Sequence, residues 1–302
     1  MKTRMARFLL ISRVGPKSRH SEWIASGSAR NFDVFLSAYS AEVDIPSGHG
    51  IQVEFRAGRK VAGFSEILQE HAAMISTYDY VALFDDDLSA SPQTISELFD
   101  ICAARNLKIA QPALTHDSYF SYAGVLQQPG FKLRHMTFIE MMAPVFRRDV
   151  LQQVRPLFEL GFESGIDLIW CNQCFETPDD FAVIDACAVR HTNPVGAQMA
   201  QNGFVGARIY EDDIHSLLAR FDLPLLPCLP YSAITQDGRR ITSRIALMFH
   251  ALRLAGALSD PPGDSGRLRK VLTHWKHLAL ARPNNIRPVQ YSKDAQVAHV
   301  GP

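Results

Sequence analysis

The segment Tyr80-Val81-Ala82-Leu83-Phe84-Asp85-Asp86-Asp87 joins five apolar residues directly to three consecutive carboxylates. The apolar run has the length and composition of a strand buried on both faces. The carboxylates cannot follow it into a core, because they repel one another and each loses solvation on burial. They belong where the strand leaves the core, and in open α/β sheets the C-terminal ends of strands are where ligands bind. A divalent cation would relieve the repulsion. Oxygen donors of this kind suit Mg²⁺ or Mn²⁺, which also bridge the oxygens of a diphosphate. The plainer alternative is a solvated acidic turn ahead of the helix that begins at Pro92.

Outward from this motif, short apolar or β-branched runs predict strands at Phe8–Ser12, Phe32–Ser37, Gln52–Phe55, Ile109–Ala113 and Phe181–Ala186. Helical spacing appears at Phe64–Ile75. It appears again at Pro92–Arg105, where Ser91 is a good N-cap and Pro92 suits the first helical position. Strand and helix alternate, which predicts an α/β fold: a mainly parallel sheet flanked by helices. The run Leu223-Pro-Leu-Leu-Pro-Cys-Leu-Pro230 reads as a boundary, with a second break at Ser259–Gly266. Helical patterns follow at Ile241–Leu258 and Leu268–Arg282. The expected division is a catalytic domain over residues 1–230 and a basic helical appendage over residues 231–302.

At 302 residues, 47% hydrophobic and 21% charged, the chain can bury a sizeable core without disulfides or a structural metal. Lys plus Arg and Asp plus Glu are 31 each, so net charge gives no reason to expect a nucleic-acid partner. Residues 239–282 are nevertheless basic, with Asp260 and Asp264 their only carboxylates. They read either as a solvated helix surface or as a docking surface for an anionic membrane or acceptor. Five scattered cysteines do not form a disulfide framework, and Cys171-Asn-Gln-Cys174 reads as core packing rather than a zinc or redox site. The apolar run Phe8–Ile11 is too short for a signal core and no stretch has the length of a membrane span. A cytoplasmic location is expected, with peripheral contact to the inner face of a membrane.

A strand ending in Asp-x-Asp early in an α/β chain resembles the metal motif of nucleotide-sugar glycosyltransferases of the GT-A, Rossmann-like fold. Three further segments resemble that superfamily in order: Met141–Val154 its acceptor-side strand and helix, Gly161-Phe-Glu-Ser-Gly-Ile-Asp167 its catalytic acidic segment, and Val183–His191 the late strand whose histidine closes the metal site. Tyr78–Leu88, Ile109–Leu114, Phe138–Phe146 and Gly165-Ile-Asp167 are similar to the glycosyltransferase-like domain of unknown function 707. The resemblance covers roughly residues 1–200. It departs from the superfamily at Ile166, where an acidic residue usually precedes the catalytic aspartate.

The resemblance implies that Asp85, Asp87 and His191 bind Mn²⁺ or Mg²⁺, with Asp86 turned away or toward the donor ribose. It also implies an inverting transfer in which Asp167 deprotonates the acceptor, a glycan or lipid-linked saccharide. Glu163 is the reserve base. The residues themselves leave Asp167 open between base and helix N-cap, and His191 between ligand and surface histidine. Arg13, Asp33, Arg56 and Lys60 are candidate contacts to the nucleotide. Trp23, Tyr119, Tyr122 and Trp170 are stacking candidates, with core packing as the commoner fate of such rings. Rival readings are a non-catalytic nucleotide-sugar or glycan binder and a haloacid-dehalogenase-type phosphatase. The latter usually carries its motif near the N-terminus, and here more than eighty residues precede it.

Overall fold

A computed structural model of the protein describes residues 7–25, 29–44, 48–195, 207–258 and 266–281. Met1–Ala6, most of the Ser259–Gly266 break, and Arg282 lie outside the described residues. The strands are β1 (Phe8–Val14), β2 (Phe32–Ala38), β3 (Ile51–Phe55), β4 (Tyr80–Phe84), β5 (Leu88–Ser89), β6 (Ile109–Leu114), β7 (Phe131–Met136), β8 (Val145–Arg147), β9 (Phe181–His191), β10 (Pro230–Thr235) and β11 (Arg240–Ile241). The helices are α1 (His20–Trp23), α2 (Lys60–Glu70), α3 (Ala72–Ile75), α4 (Pro92–Ala104), α5 (Arg148–Phe158), α6 (Asp167–Cys174), α7 (Ala207–Arg220), α8 (Arg244–Leu252), α9 (Leu254–Ala257) and α10 (Arg267–Leu280).

One sheet runs through both ends of the chain in the order β11-β10-β7-β9-β6-β8-β4-β1-β2-β3, with β5 paired to the end of β9. β3, β2, β1 and β4 are parallel neighbours, as are β6 and β9. β8 lies antiparallel between β4 and β6, so those two groups share a direction. β10 joins that direction through antiparallel β7, which leaves β5, β7, β8 and β11 as the strands that oppose it. The expected α/β class with a mainly parallel sheet is therefore what the chain adopts. Every residue of β1, β4 and β6 is buried, as strands covered on both faces require. α2, α5 and α6 form one helical group against β1, β4 and β8, and α4 packs against β4, β6 and β9.

The helix expected over Phe64–Ile75 is two helices, because the chain turns at His71, whose backbone has left the helical region. The expected boundary at Pro230 is the first residue of a strand. β10 pairs with β7 and β11 with β10, so the region beyond residue 230 opens as part of the sheet and becomes helical only afterwards. Proline is tolerated at a strand's first residue, which is why the Pro-rich run could be read as a boundary.

β7 carries no strand signal in its sequence because its interior residue is an arginine. Arg134 is fully buried, and its Nε and Nη2 donate to both carboxylate oxygens of Asp185, each at 2.9 Å. The remaining donors reach the carbonyls of Gly124 (2.6 Å) and Leu126 (2.8 Å), and Asp185 also accepts from Gln128 N–H (2.8 Å). Asp185 sits in a bulge of β9, where pairing with β6 jumps from Ile184 to Ala188. The bulge turns the carboxylate toward Arg134 and lets the last residues of β9 leave the plane toward β5.

Candidate active site

β1, β2, β4, β6 and β9 share a direction, so the residues that follow them collect at one edge of the sheet. Gly15 follows β1, Tyr39 follows β2, Asp85 follows β4, residues 115–120 follow β6, and His191 ends β9. β5 then fixes the acidic segment against the histidine, since Leu88 pairs with His191 and Ser89 with Arg190. Thr192 N–H and Oγ1–H both donate to the Asp87 carbonyl, at 3.0 and 2.9 Å.

Each of the three aspartates has a different partner. Asp85 pairs with the ammonium of Lys60, which also donates to the Met141 carbonyl at 3.2 Å. Although 23% of the Asp85 side chain reaches solvent, burial of its carboxyl pushes it up to about 6 against the opposing pull of Lys60. Asp86 is buried and turned away from its neighbours. Its Oδ2 accepts from Gly15 N–H (3.1 Å) and the Tyr39 hydroxyl (2.9 Å). Gly15 is required here, because a Cβ would lie 2.1 Å from the Tyr39 oxygen. Asp87 is buried 3.2 Å from His191 Nε2. Burial alone would raise its carboxyl, but the hydrogen bond and charge of His191 override that and hold it low. The same pairing overcomes burial at His191 and raises the imidazole.

His191 Nδ1 lies 2.9 Å from the Tyr119 carbonyl, to which it must donate. That fixes the tautomer, and the Nε2 lone pair then faces a carboxylate. Such a contact requires a cation between the two acceptors, a proton or a metal. The pair therefore has the donor chemistry of a divalent-cation site. Asp85 is held by Lys60, and among the described residues no group of three or more His, Cys, Asp or Glu side chains is arranged to hold a metal ion. The residues fit an ion in kind, and Asp85 would complete the set on leaving Lys60.

Asp167 is linked to Lys60 through Met141. Its Oδ2 accepts from Met141 N–H (3.1 Å) and its Oδ1 from Leu168 N–H (3.1 Å), so one peptide segment carries Lys60 on its carbonyl side and Asp167 on its amide side. Burial pushes the Asp167 carboxyl up to about 6 against those two amides. Asp167 opens α6 two residues after Gly165, whose φ of +86° favours glycine and where a Cβ would lie 3.1 Å from Ile214 of α7.

The other candidates part company. Glu163 accepts from the amides of Val61 (2.9 Å) and Ala62 (3.2 Å), which caps α2 and so fixes Lys60; it is engaged as a positioning group. Arg13 is buried at the end of β1, donating to Ser37 Oγ (3.3 Å) and the Gly58 carbonyl (2.8 Å). Arg56 is clasped by Glu54, Glu66 and Glu70. Asp33 lies at the opposite edge: it is level with Leu9 and, across β1, with Val81, about 13 Å of strand short of Asp85. Its carboxylate accepts from the Tyr78 hydroxyl at 2.8 Å. Trp23 and Trp170 are core residues, their indole N–H groups bound to the carbonyls of Leu88 and Ile139. Cys171 and Cys174 are buried free thiols.

Glu140 was not singled out from the sequence. Its side chain is 4% exposed and its Oε1 has no hydrogen-bond partner among the described residues. Burial, reinforced by the charge of Asp167, pushes it up to about 7. The available signal was a single charge inside the apolar run Phe138-Ile-Glu-Met-Met-Ala-Pro144, which a buried strand or loop would not carry without cause.

No family model matches the sequence, and no curated protein sequence matches it. Among solved structures, S. aureus TarS in complex with UDP is similar at 10% identity with a TM-score of 0.38, over 61% of this chain and 59% of that one. CMP:2-keto-3-deoxy-manno-octonic acid synthetase complexed with CTP is similar at 10% identity with a TM-score of 0.31, over 50% of this chain and 78% of that one. The chain thus spans less than two thirds of the TarS chain, and both likenesses are too distant to assign chemistry.

Proposed function

We propose that the protein transfers a sugar from a nucleotide-sugar donor to a glycan or lipid-linked acceptor, with inversion, at the edge formed by Asp85–Asp87, His191, Lys60 and Asp167. The observation that carries this reading is the convergence of these side chains from four separate parts of the chain on one sheet edge, with the half-buried Lys60 ammonium paired to Asp85 and joined through Met141 to Asp167. Asp85, Asp87 and His191 would hold Mn²⁺ or Mg²⁺, which when bound neutralises the leaving diphosphate as a Lewis acid. Lys60, steered by the Glu163 cap, offers a mobile positive charge to the same phosphates. Asp86 fixes Gly15 and Tyr39 at the rim rather than contacting the ion. Asp167, raised toward neutrality by burial, takes the proton from the acceptor hydroxyl.

The test is ligand-induced thermal stabilisation by nucleoside diphosphates with and without Mn²⁺. A ligand at a hundred times its Kd stabilises the folded state by about 2.7 kcal/mol. The expected outcome is a shift that needs Mn²⁺ and is lost in Asp87→Ala with the unliganded melting point little changed. Stabilisation that ignores Mn²⁺, or survives Asp87→Ala, would overturn the metal assignment. A chain that no nucleotide stabilises is not a nucleotide-sugar enzyme.

A further inference from the structure

Ten large apolar side chains are exposed among the described residues, and six of them lie on just two helices, α8 and α10. On α8 they are Ile245 (65% exposed), Phe249 (61%) and Leu252, spaced i, i+4, i+7 and hence on one face. On α10 they are Leu268, Leu272 and Leu280. The two helices form an antiparallel pair. Arg244 donates to the carbonyls of Leu278 and Ala281, and Trp275 Nε1–H to the carbonyl of Ala251 at 2.9 Å. Their inner faces are already satisfied, with Leu247, Ala251, Val271 and Leu278 buried. The apolar side chains named above are therefore turned outward, away from any core.

The charge on the pair is one-sided. α8, α9 and α10 contain no Asp or Glu, while Arg253, Arg269 and Lys276 are exposed beside the apolar residues. Exposed apolar residues flanked by cations are the pattern of an interfacial helix that sinks its apolar side chains below a layer of anionic headgroups. A second copy of the chain fits the same face poorly, since it would set like charges against like.

The pair is also fastened to the candidate active site. Lys270 donates to the Phe120 carbonyl at 2.7 Å and Arg267 to the His116 carbonyl, and both cations lie over the Phe120 ring. The same segment supplies the Tyr119 carbonyl that holds His191.

We propose that the outer surface of α8 and α10 docks the protein onto an anionic phospholipid bilayer, with Ile245, Phe249, Leu268 and Leu272 inserted and Arg253, Arg269 and Lys276 against the headgroups. The inference stands apart from the sugar-transfer reading and needs no activity to test it. The full chain is floated with vesicles of phosphatidylcholine alone and of equal parts phosphatidylcholine and phosphatidylglycerol. Binding to the mixed vesicles only is expected. Arg269→Glu with Lys276→Glu should weaken it by about tenfold or more, and Phe249→Ser with Leu272→Ser comparably, all with unchanged circular dichroism. These side chains are exposed, so loss of fold is not an expected complication, and the two paired variants report separately on charge and insertion. Failure to float with either vesicle overturns the proposal, as does equal binding to neutral vesicles. So does a dimer in light scattering that Phe249→Ser with Leu272→Ser dissociates, because the face is then an interface between copies.

Discussion

Asp167 and Glu163, four residues apart, divide in the proposed reading into a base and a helix cap, and only the cap is a contact seen in the fold. Asp167→Asn preserves shape and removes basicity, at the loss of one of the two backbone N–H bonds that the carboxylate accepts. Transfer should fall by about 10²–10⁴-fold while donor affinity barely changes. The active form of a base is the ionised one, so with the carboxyl pushed up to about 6, kcat/KM should rise with pH up to that region and flatten above it. An Asp167→Asn enzyme of normal rate removes the assignment. Glu163→Gln, by contrast, weakens the cap on α2. It should cost about 1 kcal/mol of stability in a chemical denaturation curve, with the acid limb of the pH profile left where it was. At this scale the sequence was partly legible. An acidic triplet after an apolar strand has few uses, and Asp87 with His191 are indeed neighbours. Asp33, Arg56 and Glu163 could not be sorted, because a charged residue beside a strand reads alike at either end of the sheet, and capping leaves no pattern when cap and helix lie about a hundred residues apart. Glu140 was hidden by its apolar neighbours.

At the scale of elements, β7 and β9 are joined by a buried charge that propensity cannot reveal. Asp185→Asn leaves the Arg134 guanidinium buried without its counter-charge and should destabilise the protein by about 3–5 kcal/mol. Replacing both partners, Arg134→Met with Asp185→Leu, should recover much of the loss. Urea midpoints decide it, and a single variant as stable as the parent would show that the pair is not a mutual requirement. α10 carries a second buried polar group, His274, whose imidazole burial lowers from 6.5 to about 3, with Arg134 and His277 adding to the effect. Because the folded value lies below the unfolded one, the folded state favours the neutral ring. Stability is intact above pH 6.5 and is lost as pH falls below it, by about 2 kcal/mol at pH 5. His274→Asn should flatten that part of the stability–pH curve. An unchanged slope would place the acid sensitivity elsewhere. The buried parallel strands β1, β2, β4 and β6 were legible because apolar runs of that length have little else to be. β7 and β11 were not, since a charged interior and a length of two residues both erase the period, and β8 was legible only through the resemblance of Met141–Val154 to a strand and helix.

For the molecule as a whole, the sheet that begins at β1 is completed by β10 and β11, so the chain has no cut point at residue 230. A chain ending at Leu229 would leave β7 as an open edge and Phe131 without its contact to His250. It should fail to give a folded monomer by size exclusion and amide spectra, and a well-folded product would show that the sheet can end at β7. Sequence reasoning placed the division there because a proline-rich run and a basic, helical remainder look like a linker and an appendage, and only the pairing of β10 with β7 reveals the continuity. The clasp of Arg267 and Lys270 on residues 116–120 carries a thermodynamic corollary. It ties α10 to the segment on which the orientation of His191 depends, and coupling between two binding events is reciprocal. By whatever factor a bilayer held on α10 alters the hold of the sheet edge on its ligand, a ligand at that edge must alter the protein's partition onto the bilayer by the same factor. A vesicle titration repeated with and without nucleotide would therefore measure, from the lipid side, the energy passing through the Phe120 clasp.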